Sequence, residues 1–466
     1  MTDSVRLDAR QADRSLVRRM FSRDALYSLA ILVLLPNLLF LVVSPWLMVR
    51  RIVGPFLYLA AGLLSLFLPK PLNYLCYLVA AAIDGFIIVA LAFDMPFDVA
   101  FASLRFVPGL NVSTSLLYVG ATAYLAIAAC IVAHLVDTNR RRLRASSLIP
   151  AILAALFLYW VDISTNQYKS KPDEFQSAMQ QAGLTSENIV ARDRNVLFVL
   201  VEGLGAYADP NEREILAGRL RSAAGDRFIF KSGTNTHYGS TTGAMSRELC
   251  GKWGTFLDYL DHKPHDCLPA RLAQANFETI NYDAYDSDLF ALRDWYPRIG
   301  IQRMNFGEDI EQAHPELAQK HCGTVIRGLC DDDVGEVVKR ELAQSSTKRK
   351  FVYWLTLNSH LPYEARKDRP LKCRQTDTVI DSPMTCELTE IWMGVFDKVA
   401  AIAADPTMPP VDILVVGDHN TPMWSRAEAR HFIPGRVDWY YLQSKATPTT
   451  TAAQLLTPNS RMLDRL

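Results

Sequence analysis

The 466-residue sequence lacks an excess of charge of either sign: 49 lysines and arginines stand against 49 aspartates and glutamates. A nucleic-acid binder needs a basic surface to neutralise phosphates, so nucleic acid is not an expected partner. The chain also lacks any C-x-x-C pair, which removes the usual signature of a thioredoxin-like redox site or a zinc ribbon. Polar runs are scarce before residue 165, which speaks against a chain that is soluble throughout. What fills that first third is apolar.

Crossing the hydrocarbon layer as a helix takes about 20 predominantly apolar residues. Five stretches are candidates: 26–48, 53–69, 72–93, 113–136 and 147–163, the second and fifth being short. The first is long, has no small-residue cleavage site and is followed by more apolar runs, unlike a cleaved leader. Arg6, Arg10, Arg14, Arg18, Arg19 and Arg23 precede it, and Arg140, Arg141, Arg142 and Arg144 lie between the fourth and fifth. Basic residues in short loops stay preferentially in the cytoplasm, so five crossings place everything after residue 164 outside. Arg50 and Arg51 then fall on the outer side, where they are expected to snorkel toward lipid phosphates. Residues 94–111 read as an interfacial helix or a plain connector.

The expected organisation is therefore a five-span transmembrane domain over 1–163, a linker over 164–194 and a soluble domain over 195–466. Six cysteines, Cys250, Cys267, Cys322, Cys330, Cys373 and Cys386, lie in the soluble part, and outside the cytoplasm an even set reads as disulfides. Neighbour pairing (250–267, 322–330, 373–386) is favoured among about fifteen possible patterns. Cys76 and Cys130 sit in apolar runs.

Three apolar runs in the soluble part end in polar residues: NVLFVLVEGLG from Asn195, FVYWLTLNSHLPY from Phe351 and VDILVVGDHN from Val411. Near-continuous apolar runs suit strands buried on both faces of a largely parallel sheet. Helical stretches at 212–223, 267–276, 333–344 and 386–403 fall between them, giving an α/β domain. Ligands of open α/β sheets bind beyond the carboxyl ends of the strands. Glu202, His360, and the pair Asp418 and His419 all fall there. Carboxylate and imidazole suit a hard or borderline divalent metal, although a helix-start acid or a hydrogen-bonded loop histidine are the plainer readings. In HYGSTTGAMSRELCG, small and hydroxyl residues precede a helix starting near Thr242. Ser240 or Thr241 could simply cap it, or a hydroxyl there could be held as an alkoxide beside a metal.

Taken together, these segments resemble the membrane-anchored, sulfatase-like branch of the alkaline phosphatase superfamily, which includes phosphoethanolamine transferases and lipoteichoic acid synthases. The resemblance rests on five spans, a linker, a strand ending in V-E-x-x-G, a threonine segment, S-H-x-P-Y and G-D-H, in that order. It implies an alkaline-phosphatase-like soluble domain in the periplasm of a bacterial inner-membrane protein. Glu202, Thr241, Asp418 and His419 match the metal set, with Thr241 also the nucleophile and Thr242 the alternative. His360 matches a histidine near the transferred phosphoryl group, and His431 in RHFIPG a further substrate histidine. The metal is expected to be Zn2+, with Mn2+ the alternative.

The implied reaction moves phosphoethanolamine from a phospholipid donor, phosphatidylethanolamine being expected, to an envelope glycan or lipid through a phosphothreonine. The alternative is phosphoglycerol transfer to an envelope glycan. A sulfatase or phosphodiesterase is less favoured, because no C/S-x-P-x-R context surrounds Ser240 or Thr241. Tyr282, Asp283, Tyr285, Asp286 and Trp295 are candidates for an acceptor or amine pocket, or for ordinary core and surface roles.

Overall fold

A computed structural model describes residues 22–143, 148–166, 171–375 and 378–445. Arg6, Arg10, Arg14, Arg18, Arg19, Arg144 and Lys169 lie outside the described residues. The apolar third forms α1 (Arg23–Val43), α2 (Gly54–Ser65), α3 (Lys70–Ala92), α4 (Phe97–Ser103), α5 (Leu116–Thr138) and α6 (Leu148–Thr165). Among the described residues, α1, α3, α5 and α6 are long and apolar enough to cross a membrane.

The second expected span is shorter than its sequence suggested. At about 1.5 Å per residue, the 12-residue α2 reaches only about 18 Å of a hydrocarbon layer of about 30 Å. Prolines set its limits. Pro55 sits in its first turn, while Pro69 and Pro71 stand at the start of α3.

Arg51 overturns the snorkelling expectation. Its side chain is buried between helices, with Nε 2.9 and 3.1 Å from the Asp84 carboxylate and Nη1 donating to Asn37 at 2.7 Å. Its guanidinium also lies 3.7 Å from the centroid of the Phe40 ring. A charge in an apolar bundle is expensive unless paired, and Asp84 on α3 supplies that pair. Arg50 likewise turns to a protein partner, Asp94, at 2.6 Å.

The soluble part is built on a seven-stranded sheet. Its strands are β1 (Asn195–Val201), β2 (Gly205–Tyr207), β3 (Phe228–Thr236), β4 (Glu278–Asp283), β5 (Lys350–Leu355), β6 (Val411–Gly417) and β7 (Phe432–Ser444). The order across the sheet is β2, β7, β6, β1, β5, β4, with β3 pairing β7. β4, β5, β1 and β6 run parallel, and β7 joins antiparallel to β6, β2 and β3. β1 and β6 are buried along their whole length, as their unbroken apolar runs require.

Helices α7 (Pro210–Ala224), α9 (Asp331–Ala343) and α10 (Pro383–Ala404) cover one face, and α8 (Thr241–Cys250) packs on the other. All three neighbour disulfides form: Cys250–Cys267, Cys322–Cys330 and Cys373–Cys386. The stretch read as linker is folded beyond Ser177, with Ala178, Met179, Leu184 and Ile189 packed into the core below α8.

The two parts touch at several points. The segment after α1 pairs with the segment after β6 through Met48 N to Trp424 O (2.6 Å) and a bridge between Leu47 and Ser425. Arg426 clamps the ends of α1 and α6, donating to Ser44 O (3.0 Å), Thr165 O (3.0 Å) and Asn166 Oδ1 (2.9 Å). The 94–111 stretch is a docked element: α4 inserts Val99 into the soluble core, and Phe106 packs edge-on against Phe256 and Phe290.

Candidate metal centre

Parallel strands point their carboxyl ends the same way, so the residues just after β1 and β6 meet at one edge of the sheet. There Glu202, Asp418 and His419 bring ligand atoms within 4.8 Å of one another, all buried. Asp418 Oδ1 accepts from the backbone amides of Gly203 (2.7 Å) and His419 (2.6 Å), while Oδ2 has no hydrogen-bond partner and lies 3.3 Å from His419 Nε2. His419 turns Nδ1 to the carbonyl of Asn420 at 3.0 Å, which leaves Nε2 facing the carboxylates. A carbonyl on one ring nitrogen commonly fixes the other as a metal ligand.

Glu202 is held by its backbone. Its amide donates to Thr356 Oγ1 (3.0 Å), and its carbonyl accepts from Ser359 Oγ (2.6 Å) and Trp392 Nε1 (3.1 Å). Burial, and then the Asp418 carboxylate beside it, push the Glu202 carboxyl well above its ordinary range. Two buried carboxylates with one partnerless oxygen and an aimed imidazole form a donor set that a divalent cation satisfies. The residues present fit a metal.

Thr241 opens α8 and completes the group. Its Oγ1 lies 3.4 Å from Glu202 Oε2 and 3.5 Å from His419 Nε2. The capping alternative does not apply to Ser240, whose side chain makes no cap hydrogen bond. Thr242 makes no hydrogen bond to this group: it is fully buried and its hydroxyl has no partner.

His360 sits on the loop after β5, half-buried, its ring stacked on Phe93 at the end of α3 (centroids 5.7 Å apart, planes at 13°). Burial and the neighbouring His419 lower its pKa to about 4, so the ring is neutral at physiological pH. His431 stands apart, its Nδ1 2.7 Å from Glu212 and its Nε2 3.1 Å from Asp381.

Arg247 was missed by sequence reasoning. Fully buried on α8, it donates to the carbonyl oxygens of Gly417 (3.0 Å) and Asp418 (3.2 Å) and pairs with Glu248 at 2.6 Å. An R-E pair on a helix ordinarily reads as solvated surface; the signal was its place two turns after a hydroxyl cluster and three residues before a cysteine.

Glu202, Ser240, Thr241, His360 and His419 line one end of a cavity of about 990 Å3. Its remaining wall is chiefly apolar: Leu39, Phe40 and Val43 of α1, Leu78 and Ile88 of α3, and Leu116 to Ala126 of α5. Three of the four helices long enough to cross a membrane, α1, α3 and α5, thus share a chamber with Glu202 and His419 of the candidate metal group.

No protein-family profile and no curated protein matches the chain. Solved structures similar to it include the lipoteichoic acid synthase LtaP of Listeria monocytogenes (TM-score 0.39, 12% identity, covering 62% of this chain and 72% of that one). An alkaline phosphatase superfamily protein of Vibrio parahaemolyticus is similar at TM-score 0.39 and 14% identity, covering 55% of this chain and 61% of that one. The C-terminal periplasmic domain of EptC from Escherichia coli is similar at TM-score 0.36 and 12% identity, covering 54% and 73%.

Proposed function

We propose that this chain is a metal-dependent phosphotransferase of the alkaline phosphatase superfamily that moves phosphoethanolamine from a phospholipid to an envelope glycan or lipid, with Thr241 as nucleophile. The observation that carries the reading is the shared chamber: Thr241, Glu202 and His419 line the same cavity as the apolar flanks of α1, α3 and α5. A hydrolase of soluble esters has no use for such walls. A phospholipid needs them, since its acyl chains leave the bilayer only into another apolar medium.

Glu202, Asp418, His419 and the Thr241 hydroxyl would hold the cation, Zn2+ in this reading. When bound, the metal supplies Lewis-acid stabilisation of phosphoryl oxygen charge and a lowered threonine pKa. Thr241 Oγ1 donates toward Glu202 Oε2, so its proton has an acceptor in place. The Thr241 Oγ1–phosphorus bond forms as the bond from phosphorus to the diacylglycerol oxygen breaks, and diacylglycerol leaves with the proton. The acceptor's hydroxyl oxygen then bonds to phosphorus as the Thr241 Oγ1–phosphorus bond breaks, and the hydroxyl proton returns to Thr241 Oγ1. In this reading His360, stacked on Phe93, would hydrogen-bond the phosphoryl oxygens.

In this reading the soluble part faces the periplasm, where three disulfides persist. That location needs an odd number of crossings, so α2 crosses with its flanks. Intact mass of the purified protein after incubation with zinc and phosphatidylethanolamine vesicles tests the proposal. A phosphoethanolamine adduct is expected in the native protein and in Thr242→Val, and none in Thr241→Ala. No adduct in the native protein, or one that survives Thr241→Ala, would overturn it.

A further inference from the structure

Asp283 is the last residue of β4, on the same carboxyl edge of the sheet as the metal cluster. It pairs with Leu355, which pairs in turn with Leu200, so it sits two strands across from β1 at the level of Leu200. Two strand spacings amount to about 10 Å between backbones, before the side chains of Asp283 and Glu202 extend. Asp283 is 2% exposed and lines the cavity with Thr241 and Glu202.

Its two oxygens are treated unequally. Oδ2 accepts from Tyr296 Oη at 3.0 Å, and Oδ1 has no hydrogen-bond partner. Tyr296 in turn touches Met245 of α8, its hydroxyl 3.9 Å from Sδ, one turn beyond Thr241. The nucleophile's helix and the carboxylate are therefore braced by a common ring.

Burial with an unfilled oxygen costs free energy that a leucine would avoid. Burial chiefly pushes the carboxyl up to about 8, with Glu308 adding to the rise and Tyr296 and Asn281 opposing it. Tyr353 of β5 is the further titratable neighbour, and its pKa responds to Asp283. Among the described residues that line the cavity, none is lysine or arginine, so none supplies a fixed counter-charge. A cationic group arriving in the chamber would meet in Asp283 a carboxyl group outside the candidate metal cluster that it can draw into its charged form. A neutral group such as glycerol would leave it unpaired.

From this placement we infer that Asp283 binds the ammonium of the donor's head group and so selects ethanolamine-type phosphodiesters over uncharged ones. The inference rests on the lipid-donor reading above. The phosphoryl group sits at Thr241, and the two-carbon arm reaches across the end of β5 toward Asp283 Oδ1. Charged hydrogen bonding from the ammonium favours the carboxylate form, offsetting the burial that favours the acid. Asp283 is thus a specificity residue, and Tyr296 a positioning residue that holds it.

The test compares adduct formation from phosphatidylethanolamine and phosphatidylglycerol vesicles of matched acyl chains, using the native protein and Asp283→Asn. The native protein is expected to label at least tenfold faster from phosphatidylethanolamine, and Asp283→Asn to lose at least tenfold of that preference. An equal loss with both donors, or an unchanged preference, would overturn the inference while leaving the transferase reading intact. No labelling of the native protein by either donor would overturn both. If Asp283→Asn fails to fold, the native protein decides alone with N-acetyl-phosphatidylethanolamine as a third donor, uncharged at nitrogen. Labelling from it as fast as from phosphatidylethanolamine would overturn the inference.

Discussion

Arg247 Nη2 donates to the carbonyl oxygen of Gly417 at 3.0 Å, tying the helix that begins at Thr241 to the strand that leads into Asp418 and His419. Gly417 allows no side chain here: a Cβ would stand 1.8 Å from the carbonyl oxygen of Leu204. The strand end is thus pinned from two sides, by a guanidinium and by backbone.

Replacing that guanidinium should therefore act on the metal before the fold. Arg247→Lys is expected to lower metal affinity about 10- to 100-fold, the usual cost of losing an outer-shell partner. Metal titration of the purified variant checks this, with circular dichroism to confirm folding. Arg247→Ala should also destabilise the protein by about 3 to 5 kcal/mol, since it strands a buried Glu248 carboxylate.

Arg426 joins the soluble domain to three points of the helical part. Arg426→Ala is expected to slow labelling from vesicle-bound donor at least tenfold while leaving hydrolysis of a small water-soluble phosphodiester within about twofold, because the metal cluster does not touch it. Equal losses with both substrates would show that its role is general stability.

Within the helices, Asp84→Ala leaves the buried Arg51 unpaired and should destabilise the protein by about 3 to 5 kcal/mol. The double variant Arg51→Met with Asp84→Leu should recover most of that loss, because removing both charges removes the desolvation penalty as well. Thermal unfolding in detergent, followed for the single and double variants together, distinguishes the two.

Glu341 gives the soluble domain a pH dependence of known sign. Burial alone would raise it, but Arg303 (2.8 Å) and Lys350 (2.8 Å) outweigh burial and hold the carboxyl at about 2, below its ordinary 4.5. Its folded pKa is depressed, so its stabilisation is fully present above about pH 4.5 and is lost as pH falls toward 2. At neutral pH it amounts to about 3 kcal/mol by linkage. Glu341→Gln should lower the melting temperature at pH 7, and the difference from the native protein should shrink as pH is lowered from 4.5 toward 2.

What could be read in the sequence divides by physical cause. β1, β5 and β6 announce themselves because strands buried on both faces need apolar runs, and their ends delivered Glu202, His360, Asp418 and His419 to one edge. β7 was not legible: Pro434 and Gly435 interrupt its start, and its partners β2 and β3 come from more than 190 residues earlier in the chain. β3 and β4 carry polar residues such as Asn235 and Asn281 at buried positions, which masks their period. Arg51 misled for a similar reason. Its partner Asp84 lies 33 residues away inside a run that otherwise reads as a plain span, and composition cannot see a pair across two helices. Neighbour disulfides were readable because short loops bring such cysteines together; Arg247 was not, since its partners are backbone carbonyls 170 and 171 residues on.

The chamber walled by α1, α3 and α5 also fixes how its occupant must be counted. Whatever fills a space lined by helix flanks of this kind partitions into the surrounding hydrocarbon first, so occupancy follows the ligand's mole fraction in the bilayer and not its amount per volume of buffer. Diluting the ligand with inert lipid at constant total ligand empties such a site, while diluting the whole suspension with water leaves it filled.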